Sequence, residues 1–220
     1  MTTVPAQSKP SIHFGEDSLA ALEAIELNPD IFQKALQQGL SAASQTTDFH
    51  PKTAKGIYLW SEVNASVRKQ AVETNSWFHS DPKNRPVVTH TQRGLEITCV
   101  AGTAATGNKD AQPDVKHRRG PETAKAAANQ LVLFSEVALR STPSRSVEIS
   151  KLRGTWFYLY HVHHDGHVSH ELSYPSAWEE GRVTAWELRI LLPDLEPSNV
   201  TMKVIPTDDD DSIVFNIQAI

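Results

Sequence analysis

The sequence predicts an α+β protein in which a mainly antiparallel C-terminal sheet, a β-meander, carries N-terminal and central helices packed on it. Three observations lead to this prediction. Helical patterns are confined to residues 17–139, residues 154–220 alternate in short strands, and Asp165 with Gly166 marks a hairpin between two strand-like runs. Short strands joined by short turns favour antiparallel pairing, and helices grouped apart from them favour α+β architecture.

Helical periodicity or end signals occur in four segments: residues 17–24, 29–39, 56–73 and 121–134, with an extension of the last to residue 139 left open. Asn28 and Pro29 suit the N-cap and first position of the second helix. The third segment also fits a strand, but the spacing of Ile57, Trp60 and Val63 favours a helix. The fourth is the predicted central helix, and it follows a long loop at 102–120.

The first two strand patterns lie at residues 86–91 and 95–100. Gly94, between them, suits the left-handed position of a hairpin turn. Further strands are predicted at 155–164, 167–174, 183–192, 199–205 and 212–219. In the third of these, alternation predicts that Trp186, Leu188 and Ile190 share one face of the sheet.

The 220 residues are enough for one substantial core. We predict a flexible leader at 1–15 and a single domain at 16–220, with a helical part at 16–80, a mixed part at 81–153 and antiparallel strands at 154–220. The chain has no signal-peptide pattern and no apolar run of membrane-spanning length, so we expect a cytoplasmic protein with no membrane partner.

Cys99 is the single cysteine, which excludes an internal disulfide and a thiolate-rich zinc site. It lies in phase with Leu95 and Ile97, and this position predicts a buried core residue. A reactive thiol would need an accessible, electropositive setting.

The net charge of −5 is unevenly distributed along the chain. Residues 1–50 hold two Lys or Arg against six Asp or Glu, residues 51–153 hold sixteen against nine, and residues 154–220 hold three against eleven. A separate basic segment is compatible with nucleic-acid or phosphate ligands. The alternative is that the basic and acidic segments face each other within the fold.

Five of the ten histidines lie between positions 161 and 170. A two-residue turn at Asp165 and Gly166 would pair His161 with His170 and place both on one face with His163. Three converging imidazoles suit a divalent metal such as zinc, and a metal-bound water suits a hydrolase. The alternative is that these histidines are surface or packing residues.

The loop at 102–120 ends in a basic run directly before Gly120 and Pro121, where the central helix is predicted to begin. A helix N-terminus carries unpaired N–H groups, and arginines add bidentate donors for phosphate. The candidate phosphate-binding residues are Lys109, Lys116, Arg118 and Arg119. A solvated basic loop is the alternative.

These observations favour binding of a phosphate-bearing ligand, nucleic acid or a nucleotide, through the basic loop. A metal-dependent hydrolase centred on His161, His163 and His170 is the first alternative. The second is a protein-interaction or assembly module without a small-molecule site. The sequence leaves open whether the protein is an enzyme and whether it forms a homo-oligomer.

Overall fold

The computed structural model of the chain describes residues 9–120, 149 and 152–196. In chain order the elements are β1 (Ser11–His13), α1 (Glu16–Glu23), α2 (Pro29–Ser44), α3 (Ala54–Val72), β2 (Trp77–Ser80), a 3-10 turn (Pro82–Asn84), β3 (Val87–His90), β4 (Leu95–Ala101), β5 (Gly154–Val162), β6 (Val168–Glu179) and β7 (Arg182–Leu191). The predicted central helix and the last two predicted strands lie outside the described residues.

The strands form one seven-stranded sheet in the order β1-β7-β6-β5-β4-β3-β2. β5, β6 and β7 make the predicted antiparallel meander. However, β4 pairs with β5 in parallel and β1 pairs with β7 in parallel. The expectation of a mainly antiparallel sheet is therefore wrong, and the sheet is mixed. Residues 102–153 provide the long connection that a parallel pair requires.

β1 lies inside residues 1–15, the segment predicted as a flexible leader. The division of the chain into a leader and a single domain at 16–220 stays a prediction.

The three helices occur where the sequence predicted helices. At the start of α2 the Asn28 side chain accepts a hydrogen bond from the Ile31 N–H at 3.3 Å, as an N-cap should. The ambiguous segment is the helix α3, which begins at Ala54. Among the described helices, none combines the length and the apolar character needed to cross a bilayer.

The helices contribute to the larger hydrophobic core on one face of the sheet. Phe32 of α2 contacts Tyr158 of β5 with 4.5 Å between ring centroids. Cys99 lies in this core, as predicted, and burial raises its pKa to about 12. The thiol is therefore neutral and enclosed.

The opposite face carries a smaller apolar cluster that includes Val115, Phe157 and Trp186. The pairing of β6 and β7 shifts register between Tyr174 and Pro175, and this shift places Trp186 on the face opposite Leu188. Pro175 has no backbone N–H to donate to the neighbouring strand, and prolines within sheets are typical of such irregular positions. The prediction that Trp186 shares a face with Leu188 and Ile190 is therefore wrong. The Trp186 indole N–H donates a hydrogen bond to the Pro113 carbonyl at 2.8 Å. This bond holds the 102–120 loop against the cluster.

A buried ion pair joins the same loop to the sheet. Arg189 and Glu171 approach to 2.6 Å, and their side chains are 2% and 0% exposed. Arg189 also donates to the carbonyls of Ala111 and Asn108, while the Gly107 N–H donates to Glu171 at 2.7 Å. Both charges are thus satisfied by each other and by the backbone of the loop.

Replacement of Arg189 by Met should destabilise the protein by about 3–5 kcal/mol, because it leaves the Glu171 carboxylate buried without its counter-charge. Urea unfolding followed by circular dichroism measures this change. The matched control is Arg68→Met, which breaks an ion pair with Asp81 whose side chains are 20% and 56% exposed and should cost less than about 1 kcal/mol. Equal losses in the two variants would contradict the role assigned to the buried pair.

Candidate phosphate-binding site

The basic segment, residues 116–119, is held by backbone hydrogen bonds at both ends. The Lys116 N–H donates to the Ala101 carbonyl at 2.8 Å, and the Arg119 N–H donates to the Gly181 carbonyl at 2.9 Å. The segment therefore runs from the end of β4 to the turn between β6 and β7. Its backbone is positioned before any ligand arrives.

Gly181 permits this close approach. A Cβ atom at this position would lie 2.8 Å from the Arg119 carbonyl oxygen, and the φ of Gly181 is +81°. Both the space and the backbone conformation favour glycine. A side chain here would push the basic segment away from the turn.

Arg119 has a buried donor with no partner in the described part of the chain. Its Nε is closed off from solvent, and nothing among the described residues accepts a hydrogen bond from it. No carboxylate in the described part of the chain pairs with the guanidinium. Burial lowers the pKa of Arg119, and the nearby Tyr160 acts in the opposite direction. A buried donor that finds no acceptor costs stability.

Other cationic groups crowd around Arg119. Burial lowers the pKa of His117, and the charges of Lys116, Arg119 and Arg182 lower it further. Arg182 is paired with Asp114 at 2.9 Å. Arg118 has only a loose contact of 3.6 Å with Glu180, and both side chains are mostly exposed. The local balance of charge is therefore positive.

Lys109 lies apart from the other candidate phosphate-binding residues. Its ammonium group is 5.9 Å from the centre of the Phe14 ring, in a cation–π arrangement. The described contacts connect Lys116, Arg118 and Arg119 to one another through Gly181 and His117 but do not connect Lys109 to them. The predicted helix start at Pro121 lies outside the described residues.

The histidine hairpin exists, but its register differs from the prediction. His161 pairs with Ser169, and His170 pairs with Tyr160. The His163 N–H donates to the His167 carbonyl, and Gly166 has a φ of 91°, so the loop has three residues instead of two. A shift of one residue sends His170 to the other face of the sheet.

The predicted pairing of His161 with His170 is therefore wrong, and the structure does not bring His161, His163 and His170 together. The described residues contain no group of three or more metal-binding side chains arranged to hold an ion. His161 instead hydrogen-bonds to the Gly102 carbonyl at 3.2 Å, and His163 bonds to Ser169 and stacks on His167 with 3.8 Å between ring centroids.

His170 is buried on the helix-facing side of the sheet. One ring nitrogen, Nε2, lies 2.8 Å from the Pro193 carbonyl, and the other lies 3.0 Å from the Tyr158 hydroxyl. A neutral ring satisfies both contacts, with Nε2–H donating and Nδ1 accepting. Burial lowers the pKa of His170 to about 4, although the Pro193 carbonyl and the carboxylates of Asp194 and Glu171 act to raise it.

Sequence reasoning did not identify the residues that hold the basic segment in place: Asp114, Gly181, Arg182, Glu171 and Arg189. Gly181 lies between two strand-like runs, and a glycine in that place is a local turn signal that could have located the hairpin. The pairing of Glu171 with Arg189 has no comparable local signal.

The buried His170 should make folding stability fall as the pH drops from 6.5 towards 4. The unfolded chain takes up a proton near pH 6.5, whereas the folded protein does so only near pH 4. The resulting loss is about 3 kcal/mol. The difference should be absent from His170→Gln, as measured by urea unfolding at several pH values, with the exposed His79→Gln as the control. A wild-type pH dependence that persists unchanged in His170→Gln would contradict this assignment.

Comparisons of the chain with protein-family models, with curated proteins and with solved structures gave no match. The geometry of the site is therefore the basis for a function.

Proposed function

We propose that the basic segment binds a phosphate-bearing ligand, either nucleic acid or a nucleotide. The observation that carries this proposal is the buried Nε of Arg119, which has no hydrogen-bond acceptor among the described residues. Because Arg119 has no carboxylate partner among the described residues, a bound anion would supply the missing counter-charge.

Phosphate suits this position for two reasons. A guanidinium presents paired N–H donors that match two phosphate oxygens, and charge-assisted hydrogen bonds are stronger than neutral ones. Partial exclusion of water lowers the effective dielectric constant and strengthens the attraction. Arg119 therefore serves as the central contact of the proposed site.

Lys116 and Arg118 supply the outer contacts. The pair that Arg118 makes with Glu180 is long and solvent-exposed, so its contribution to stability is small and a phosphate can replace it. Lys116 is exposed beside the end of β4. Because the backbone of the segment is already fixed, binding requires ordering of side chains only.

The alternative of a metal-dependent hydrolase depended on three converging histidines, and the observed register separates His170 from the other two. No contact of the described residues favours the assembly module over ligand binding.

The test is fluorescence anisotropy with a rhodamine-labelled oligothymidylate of about 20 nucleotides, over a range of salt concentrations. Arg118→Ala combined with Arg119→Ala should weaken binding and flatten the plot of log affinity against log salt. The slope should change by about 0.7 for each lost phosphate contact on a single strand. Competition by ATP at equal phosphate concentration would identify a nucleotide as the preferred ligand.

The charge-matched control is Lys34→Ala combined with Lys69→Ala, which removes two exposed cations from α2 and α3. This variant should keep the affinity and most of the salt slope. Melting temperatures of all variants confirm that they are folded. The proposal is wrong if the wild type binds neither oligonucleotide nor ATP at low salt, or if both double variants behave alike.

A further inference from the structure

We propose that Trp178 stacks on a nucleobase of the bound ligand, so that the ligand of the basic segment is a single-stranded nucleic acid. This inference rests on the proposed function. It adds a base-recognising surface to what is otherwise a set of phosphate contacts.

Trp178 lies beside the basic segment. It sits on β6, three residues before the Gly181 turn that holds Arg119, a separation of roughly 10 Å or less along a strand. Trp178 packs against the smaller apolar cluster, which includes Val115, and the basic segment begins at the next residue after Val115. The indole and the start of the basic segment therefore both border the smaller cluster.

The indole has the form of a stacking platform. Its ring lies on Phe157 with 5.5 Å between centroids and an interplanar angle of 24°. This contact fixes the orientation of the ring, and Trp178 nevertheless remains partly exposed. Its Nε1 is closed off and has no hydrogen-bond partner in the described ranges, so the exposed part of the residue does not include the indole N–H. Such a surface suits stacking rather than hydrogen bonding.

The surroundings of Trp178 distinguish it from the other tryptophans. Trp77, Trp156 and Trp186 are buried, with exposures of 2%, 0% and 1%, so they cannot meet a ligand. Trp60 is exposed, but it lies on α3 and donates to the Cys99 carbonyl, at the edge of the helix-facing core. Only Trp178, among the tryptophans, combines exposure with proximity to Arg118 and Arg119.

Stacking on aromatic side chains tolerates any base and typically accompanies a positively charged groove in proteins that bind single strands. A double-stranded ligand would keep its bases inside the helix, where Trp178 cannot reach them. The pairing of an aromatic platform with the basic segment therefore favours a single strand over a duplex.

The experiment compares binding of oligothymidylate with binding of an abasic deoxyribose-phosphate strand of the same length. The two probes carry the same phosphate charges and differ only in their bases. Wild-type protein should bind oligothymidylate at least about fivefold more tightly than the abasic strand. Trp178→Leu should remove this difference while binding the abasic strand as the wild type does.

Two further variants show whether the effect depends on an aromatic ring at position 178. Trp178→Phe retains an aromatic ring on Phe157 and should recover most of the preference for the strand with bases. Phe78→Leu removes an aromatic side chain that is 47% exposed on the edge strand β2, away from the basic segment, and should leave the preference unchanged. If Trp178→Leu unfolds, quenching of tryptophan fluorescence in the wild type by oligothymidylate but not by the abasic strand still tests the contact.

The outcomes separate the two proposals. Equal affinity of the wild type for both strands, or an undiminished preference in Trp178→Leu, would overturn the stacking inference and leave phosphate binding intact. Failure of the wild type to bind either strand or ATP would overturn the proposed function itself.

Discussion

The buried ion pair of Glu171 and Arg189 is the interaction on which the candidate site depends. It joins neighbouring strands of the sheet and, through the carbonyls of Asn108 and Ala111, secures the long loop that precedes the basic segment. A loop of this length would otherwise carry unsatisfied backbone groups over an apolar surface. Because the charges satisfy one another and the loop, the loop becomes a fixed layer on one face of the sheet, and its end reaches the Gly181 turn.

The two faces of the sheet therefore serve different purposes. The helix-facing side holds the larger core, with neutral enclosed groups such as Cys99 and His170. The loop-facing side combines a small aromatic cluster with charged groups such as Arg119, whose Nε has no acceptor in the described ranges. We propose ligand binding on this second face, where an anion would give the buried Nε–H of Arg119 an acceptor and where Trp178 is partly exposed.

Local signals in the sequence predicted the helices, the hairpin of β3 with β4 and the antiparallel meander, because caps, glycine turns and apolar spacing act within a few residues. The register at Asp165 and Gly166 depended on whether the loop holds two residues or three, and both use the same Asp-Gly pair. That single residue decided the face of His170. The parallel pairs and the partnership of Glu171 with Arg189 join distant parts of the chain, and single-sequence patterns do not record such pairings. Lys116, Arg118 and Arg119 were chosen as candidates for their charge and for their place before a predicted helix start, whereas the separation of Lys109 from them required the fold.

The most direct measurement of the central claim is a ¹H–¹⁵N correlation spectrum of the protein during titration with oligothymidylate. The Nε–H of Arg119 gives its own signal, and it reports the guanidinium without any mutation. The account predicts that this signal and the backbone amides of residues 116–119 shift together and saturate with the ligand. A titration in which binding occurs, other regions shift and Arg119 stays unchanged would contradict the account.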